Sequence, residues 1–167
     1  MPGVLRFFDT ALHAASEVGG PARRELIDLV LQTRDVVRVC GAGTPLLGVC
    51  LGHQVIAAAF GATIVRSSRP VHGQVSEIVH DGSGLFAGVP HRFEAARYHS
   101  LLVAAESLPP ALAVTARTRE GIPMALRHAT QPVEGIQFHP ESVLTIHGTV
   151  IMRNFIQAIT RWQNGSS

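Results

Sequence analysis

The chain has 167 residues, 46% of them hydrophobic and 16% charged, so it is long and apolar enough for one globular domain. No apolar run approaches the ~20 residues of a membrane-spanning helix, and the N-terminus lacks the pattern of a secretion signal. A net charge of +2 with scattered basic residues argues against a nucleic-acid or membrane-surface partner.

The two cysteines, Cys40 and Cys50, form no disulfide framework and no Cys-x-x-Cys pair, which predicts a reduced, cytoplasmic setting. The nine histidines are not spaced as metal ligands. We therefore expect neither a metal nor another cofactor. We interpret Cys40 as a buried structural cysteine, because nothing in its surroundings would activate a thiol.

The first 44 residues are expected to be mostly helical. Apolar residues over 4–15 share one helical face, and Pro21 suits the first turn of a second helix that ends near Gln32. The β-branched segment "DVVRVC" predicts a short strand that ends at Cys40.

From Leu46 onwards the pattern predicts an α/β domain with a strand-rich second half. "LLGVC" is apolar throughout, as in a strand buried on both faces of a parallel sheet, and "HQVIAAAF" follows it as a helix. A final helix starts near His147. Between them lie short apolar or alternating segments bounded by turn residues, and we predict these as strands: "ATIVR", "QVSEIV", "FEAARY", "LAVTART", "MALRH" and "VEGIQF".

The segment "GVCLG" places Cys50 between Gly48 and Gly52, where the strand gives way to the helix. This is the Gly-x-nucleophile-x-Gly turn, in which side chains at either glycine would collide and the central residue is strained. At a helix N-terminus, Cys50 would favour its thiolate, and the backbone N–H of Leu51 would face a developing oxyanion. The pattern therefore predicts a nucleophilic cysteine.

A nucleophile of this kind needs a base, and "GIQFHPES" supplies a candidate. His139 ends an apolar strand, at the sheet edge where open α/β folds place their sites. Glu141, two residues on, is near enough to orient the imidazole and stabilise its charged form. We interpret His53 and His99 as structural, with His99 positioning the loop at Ser100.

Three blocks of the sequence, "PLLGVCLGHQ", "RYHSL" and "GIQFHPES", resemble the signature motifs of class I (triad-type) glutamine amidotransferases. "HPES" followed by "VLTIHG" most resembles the glutaminase component of anthranilate synthase and of aminodeoxychorismate synthase. "VHG" and "DGSGLFAG" agree with that subgroup. The resemblance covers roughly residues 45–159 and implies an open, mostly parallel flavodoxin-like sheet flanked by helices.

The resemblance also implies a reaction. Cys50 would attack the side-chain amide of glutamine, and His139, oriented by Glu141, would protonate the departing ammonia and later activate water. Gln54, Ser100 and Leu101 would hold the substrate. Ammonia would pass to a chorismate-using synthase subunit or domain in a hetero-oligomer, for which the product, anthranilate or aminodeoxychorismate, is left open.

The N-terminal region departs from the family pattern. Its first 44 residues match neither the usual N-terminal strands nor the Pro-Gly-Pro-Gly loop that supplies the second oxyanion donor. "GAGTP" resembles that loop but stands too close to Cys50. We expect an N-terminally truncated single domain, with an atypical helical segment at 1–44, a family-like region at 45–162 and a tail at 163–167.

Other interpretations stay open at this stage. The chain is an active glutaminase, a catalytically impaired fragment, or a non-catalytic binding subunit of such a synthase. GMP-synthase and carbamoyl-phosphate glutaminases are alternatives within the class, and the Ser after "HPE" argues against both. A cysteine esterase of the α/β-hydrolase type would place its acid before the histidine, whereas here Glu141 follows His139.

Overall fold

A computed structural model of the chain describes residue 36, residues 43–163 and residue 165. The predicted helices over 4–15 and from Pro21 to Gln32, and the interpretation of Cys40, lie outside the described residues. So does the predicted strand at 35–40 apart from Val36, which is helical. Within the described part, no helix is both long enough and apolar enough to cross a bilayer.

Residues 43–163 form two helices and six strands. In this range β1 (Leu46–Val49) and α1 (Leu51–Ala59) lie on either side of Cys50, and α2 (Gly148–Gln163) is the last helix. The intervening strands are β2 (Ile64–His80), β3 (Arg92–Val103), β4 (Leu112–Thr118), β5 (Pro123–His128) and β6 (Val133–Ile136). Two short 3₁₀ helices span Gly84–Phe86 and Ala105–Ser107.

The strands form one sheet in the order β1-β6-β5-β4-β2-β3. β1 and β6 are parallel, and the other described pairings are antiparallel. The α/β fold class is confirmed, but the described part of the sheet is mixed where the resemblance implied a mostly parallel one. The turns at 119–122 and 129–132 are too short for the crossover that a parallel pair requires.

Two predicted strands, "ATIVR" and "QVSEIV", are parts of the single 17-residue strand β2. The polar segment between them is a bulge in this strand: the register shifts between Arg66 and Val71 and again between His72 and Gln74, so residues 67–70 have no partner on β3. Pairing with β3 resumes at Val71, and within the bulge the Ser67 hydroxyl accepts a hydrogen bond from the Arg69 N–H at 3.1 Å.

The helices lie on opposite faces of the sheet. Ala125 and Leu126 are neighbours on β5, and consecutive strand residues point to opposite faces. Ala125 packs in the cluster that includes Ile151 of α2, and Leu126 packs in the cluster that includes Ala57 of α1. Asn154 further fixes α2 by donating hydrogen bonds to the carbonyls of Leu85 and Ala87, each at 2.8 Å.

Candidate active site

Cys50 occupies the tight turn between β1 and α1. Its backbone has φ 53° and ψ −103°, and it is the one non-glycine residue with positive φ in the part of the chain that the structure describes. Such a conformation costs on the order of 1–3 kcal/mol and persists only where the surroundings enforce it. The Cys50 N–H donates to the Ile136 carbonyl at 2.8 Å, which ties the turn to β6.

The two glycines of the turn are not equivalent. A Cβ on Gly48 would lie 2.4 Å from the backbone C and O of Gly52 and 2.7 Å from Cδ1 of Ile56, so no other residue fits there. A Cβ on Gly52 would meet no described atom within 4 Å. The expectation that side chains collide at both positions therefore holds at Gly48 and fails at Gly52, because only the Gly48 side faces the helix backbone.

The turn opens into a pocket of about 200 Å³ beside the end of β3. Five of the seven predicted site residues, Cys50, Leu51, Gln54, Ser100 and Leu101, are in its described lining, together with Tyr98 and His99. Since α1 begins at Leu51, the amides of its first turn have no partner within the helix and point toward the turn. The nucleophile, the oxyanion donor and the substrate-binding residues proposed from the sequence thus share one pocket.

A buried hydrogen-bonded pair of glutamines lies next to the sulfur. The Gln54 Nε2 donates to the Leu101 carbonyl at 3.0 Å and to Oε1 of Gln137 at 2.9 Å. The Gln137 Nε2 donates to Sγ of Cys50 at 3.7 Å. Gln54 is 2% exposed and Gln137 is fully buried. Because the Gln54 Nε2 makes two hydrogen bonds, both of its hydrogens are already donated to protein partners.

The Leu101 carbonyl accepts a second hydrogen bond, from Nδ1 of His99 at 3.1 Å. The other ring nitrogen of His99 accepts from Nε of the buried Arg97 at 3.0 Å, and Nη1 of Arg97 donates to the Ser76 hydroxyl at 3.0 Å. Burial, and then the charge of Arg97, lower the pKa of His99 to about 4. His99 is therefore neutral at physiological pH, in agreement with its interpretation as a positioning residue.

His139 and Glu141 follow β6 in the chain. The His139 Nδ1 donates to Oε1 of Glu141 at 2.6 Å. Partial burial is the largest single influence and would raise the pKa of Glu141, but the hydrogen bond from His139, a backbone hydrogen bond and the charge of His139 together outweigh it, and the pKa is lowered. This bond leaves Nε2 of His139 as the nitrogen able to act as a base, and that atom is buried without a hydrogen bond to the described residues.

Tyr98 connects this pair with the pocket. Its ring lines the pocket of Cys50 and meets the His139 ring edge-on, with 5.2 Å between centroids. The His139 N–H also donates to the Ala96 carbonyl at 3.0 Å, so β3 holds both the pocket wall and the base. His139 and Glu141 do not themselves line the pocket in its described part.

His53 lies in the first turn of α1, next to Gln54. It is fully buried, its ring lies against the backbone of Gly135, and neither ring nitrogen has a hydrogen bond of good geometry to the described residues. Burial lowers its pKa from 6.5 to about 4. Among the described residues, no group of three or more His, Cys, Asp or Glu side chains is arranged to hold a metal ion.

Sequence reasoning gave no role to Gln137 or Tyr98, although both lie inside the motif blocks. A polar residue at the end of an otherwise apolar strand was the signal available for Gln137. Tyr98 carried no signal, because its contact with His139 depends on how β3 packs beside β6.

Comparison with known proteins places these motifs in a family. The sequence model of class-I glutamine amidotransferases matches residues 18–159, which is most of the chain and begins well before Pro45. The chain belongs to the class-I glutamine amidotransferase family.

Two curated relatives show which members of this family the chain is similar to. It is 52% identical over 113 residues to the aminodeoxychorismate/anthranilate synthase component 2 of Bacillus subtilis, covering 68% of this chain and 58% of the relative. It is 50% identical over 122 residues to the anthranilate synthase component 2 of Mycobacterium tuberculosis, covering 72% of this chain and 53% of the relative. The chain thus spans little more than half the length of these curated relatives.

A solved structure supports the fold. The crystal structure of a putative GMP synthase protein from Thermoplasma acidophilum superposes with a TM-score of 0.75 at 28% identity. The superposition covers 83% of this chain and 69% of that one.

Proposed function

We propose that the chain is the glutaminase subunit of a chorismate-using synthase, hydrolysing glutamine to glutamate and ammonia. The observation that carries the proposal is the strained Cys50 at a strand–helix turn, in a pocket adjoining the His139–Glu141 pair. The component 2 relatives support the choice of synthase, and both anthranilate and aminodeoxychorismate are retained as products. A catalytic thiolate needs a reducing compartment, which favours the cytoplasm.

In the proposed reaction Cys50 is the nucleophile and His139 transfers the protons. The Cys50 thiolate attacks the carboxamide carbon of glutamine, and the oxyanion that forms accepts a hydrogen bond from the Leu51 N–H. The C–N bond breaks as His139 in its charged form gives its Nε2 proton to the departing ammonia. His139 then removes a proton from water, which attacks the thioester and releases glutamate and the Cys50 thiolate.

The residues proposed to hold glutamine differ in which of their hydrogen-bonding groups are not already used within the protein. The Leu101 carbonyl already accepts from Gln54 and His99, and the Gln54 nitrogen already donates twice. Recognition of the amino-acid end therefore falls to Ser100, to the remaining backbone of Leu101 and to the oxygen of the Gln54 amide.

An exposed apolar surface beside the base supports a protein partner. In the loop after Glu141, the exposed fractions are 93% for Val143, 78% for Ile146 and 41% for Leu144. Apolar groups clustered in this way are typical of surfaces that another protein covers. We propose that the synthase covers this loop and receives ammonia there.

The test measures product formation by the chain together with a chorismate-using synthase, with glutamine or with ammonium as the nitrogen source. We expect Cys50→Ser to lower the glutamine-dependent rate by at least ~100-fold and to leave the ammonium-dependent rate unchanged. Cys40→Ser is the matched control and retains both rates.

Equal loss with both nitrogen sources, or full glutamine-dependent activity in Cys50→Ser, would contradict the proposal. A folded wild-type chain that binds the synthase yet supports only the ammonium reaction would instead indicate a non-catalytic subunit.

A further inference from the structure

Gln137 directs its side-chain amide at the sulfur of Cys50 from the adjacent strand end. It is fully buried, and its Nε2 lies 3.7 Å from Sγ. The consequence depends on which end of the amide faces the sulfur, because an N–H stabilises a thiolate whereas an oxygen would repel it.

The surroundings fix that orientation through groups whose hydrogen-bonding role cannot change. The Leu101 backbone carbonyl can only accept, so the Gln54 amide must turn its nitrogen toward it. The second hydrogen of that nitrogen donates to Gln137 and selects its oxygen. The Gln137 nitrogen is thereby left for the sulfur.

The far end of the chain of hydrogen bonds is fixed in the same way. The Arg97 guanidinium can only donate, so Nε2 of His99 must accept and its proton resides on Nδ1. That proton goes to the Leu101 carbonyl, which then has two donors and no further capacity. From Arg97 to the sulfur, each hydrogen bond permits one direction.

We propose that Gln137 is a catalytic residue whose amide N–H stabilises the Cys50 thiolate, held in that orientation by Gln54, Leu101, His99 and Arg97. The inference rests on the proposed function, because it concerns the same nucleophile. Gln137 acts on the sulfur directly, whereas the other four are positioning residues. Gln54 therefore has a role besides any contact with glutamine.

The experiment follows alkylation of Cys50 by iodoacetamide as a function of pH. A Cys40→Ser background leaves Cys50 as the single cysteine. In Gln137→Met, which keeps the shape and removes the donor, we expect the pH midpoint of alkylation to rise by about one unit. At a pH well below both midpoints, the alkylation rate then falls by roughly tenfold.

Gln157→Met is the matched control, because Gln157 is exposed on α2, and its midpoint stays at the wild-type value. Circular dichroism establishes that each variant is folded. Should Gln137→Met not fold, Gln54→Met removes the donor that orients Gln137 without touching the sulfur, and the same upward shift is expected.

An unchanged midpoint in a folded Gln137→Met or Gln54→Met variant overturns the inference. Alkylation requires neither glutamine nor a synthase, so this result is independent of the test of the proposed function. A shifted midpoint in a chain that supports no glutamine-dependent synthesis would sustain the role of Gln137 and reject the glutaminase.

Discussion

The two sides of the candidate site are held in place by different means. On the Cys50 side, the turn is strained and its neighbours Gln54 and Gln137 are buried in a chain of directional hydrogen bonds. On the other side, the His139–Glu141 bond is short, but the Glu141 side chain is 67% exposed. The nucleophile is thus positioned by the interior and the base by a solvent-exposed carboxylate. Substitutions on the Cys50 side should cost stability, and those at Glu141 chiefly activity.

The largest effect is expected at Gly48. In Gly48→Ala the new methyl group would meet the Gly52 backbone at 2.4 Å, so the turn must deform. We expect the free energy of unfolding to fall by about 3 kcal/mol and alkylation of Cys50 to slow. Urea denaturation measures the first and iodoacetamide kinetics the second.

Gly52→Ala provides the comparison on the same turn. Its methyl group would contact no described atom, and alanine favours a helix over glycine, so the free energy of unfolding should stay the same or rise by up to ~1 kcal/mol. If Gly52→Ala destabilises the chain as much as Gly48→Ala, the steric distinction between the two glycines is wrong.

A smaller effect is expected from acid. Because burial lowers the pKa of His53 from 6.5 to about 4, the unfolded chain binds a proton between these pH values that the folded chain excludes. The free energy of unfolding should therefore decrease as the pH falls below about 6.5. From pH 7 to pH 5 this group contributes about 2 kcal/mol of that decrease. His99 acts in the same direction.

Urea denaturation at pH 7 and pH 5 checks the prediction. His53→Leu should remove its part of the decrease and leave the part due to His99. The exposed His91 is the control, and His91→Leu should keep the full decrease. A wild-type stability that is equal at the two pH values would show that these histidines are not held neutral in the folded chain.

The smallest effect on stability is expected at Glu141. Glu141→Gln keeps the side-chain shape but weakens the hydrogen bond that fixes the His139 tautomer. Because the carboxylate is mostly exposed, we expect less than 1 kcal/mol of lost stability. Glutamine hydrolysis should fall by about tenfold, with the loss greater in low salt. Loss of folding without a selective loss of activity would contradict the contrast between the two sides.

The sequence predicts the elements of this fold better than their arrangement. The limits of β4 agree with "LAVTART", and β1, α1 and α2 begin within a few residues of their predicted starts. Apolar runs and glycines carry that information locally. The long strand β2 could not be foreseen, because it runs through an unpaired bulge at 67–70 and continues only where Val71 and His72 pair again with β3.

The site shows the same limit. Cys50, His139 and Glu141 stand in recognisable motifs, and the roles of all three stay predictions for the tests above. The hydrogen bond from Gln137 to the sulfur joins residues 87 positions apart and follows from the pairing of β1 with β6. No local pattern encodes such a contact. The steric difference between Gly48 and Gly52 likewise cannot be read from the sequence, because it depends on where α1 lies relative to the turn.

The pairing of β1 with β6 also has a consequence for how the chain folds. Within the described sheet, β1 has β6 as its one partner, so the strand that presents Cys50 waits for a segment 87 positions further along the chain. At ~5–20 residues per second, several seconds separate the two on the ribosome. The turn that carries Cys50 is therefore completed only after β6 has been made, whereas the β2–β3 hairpin can form earlier.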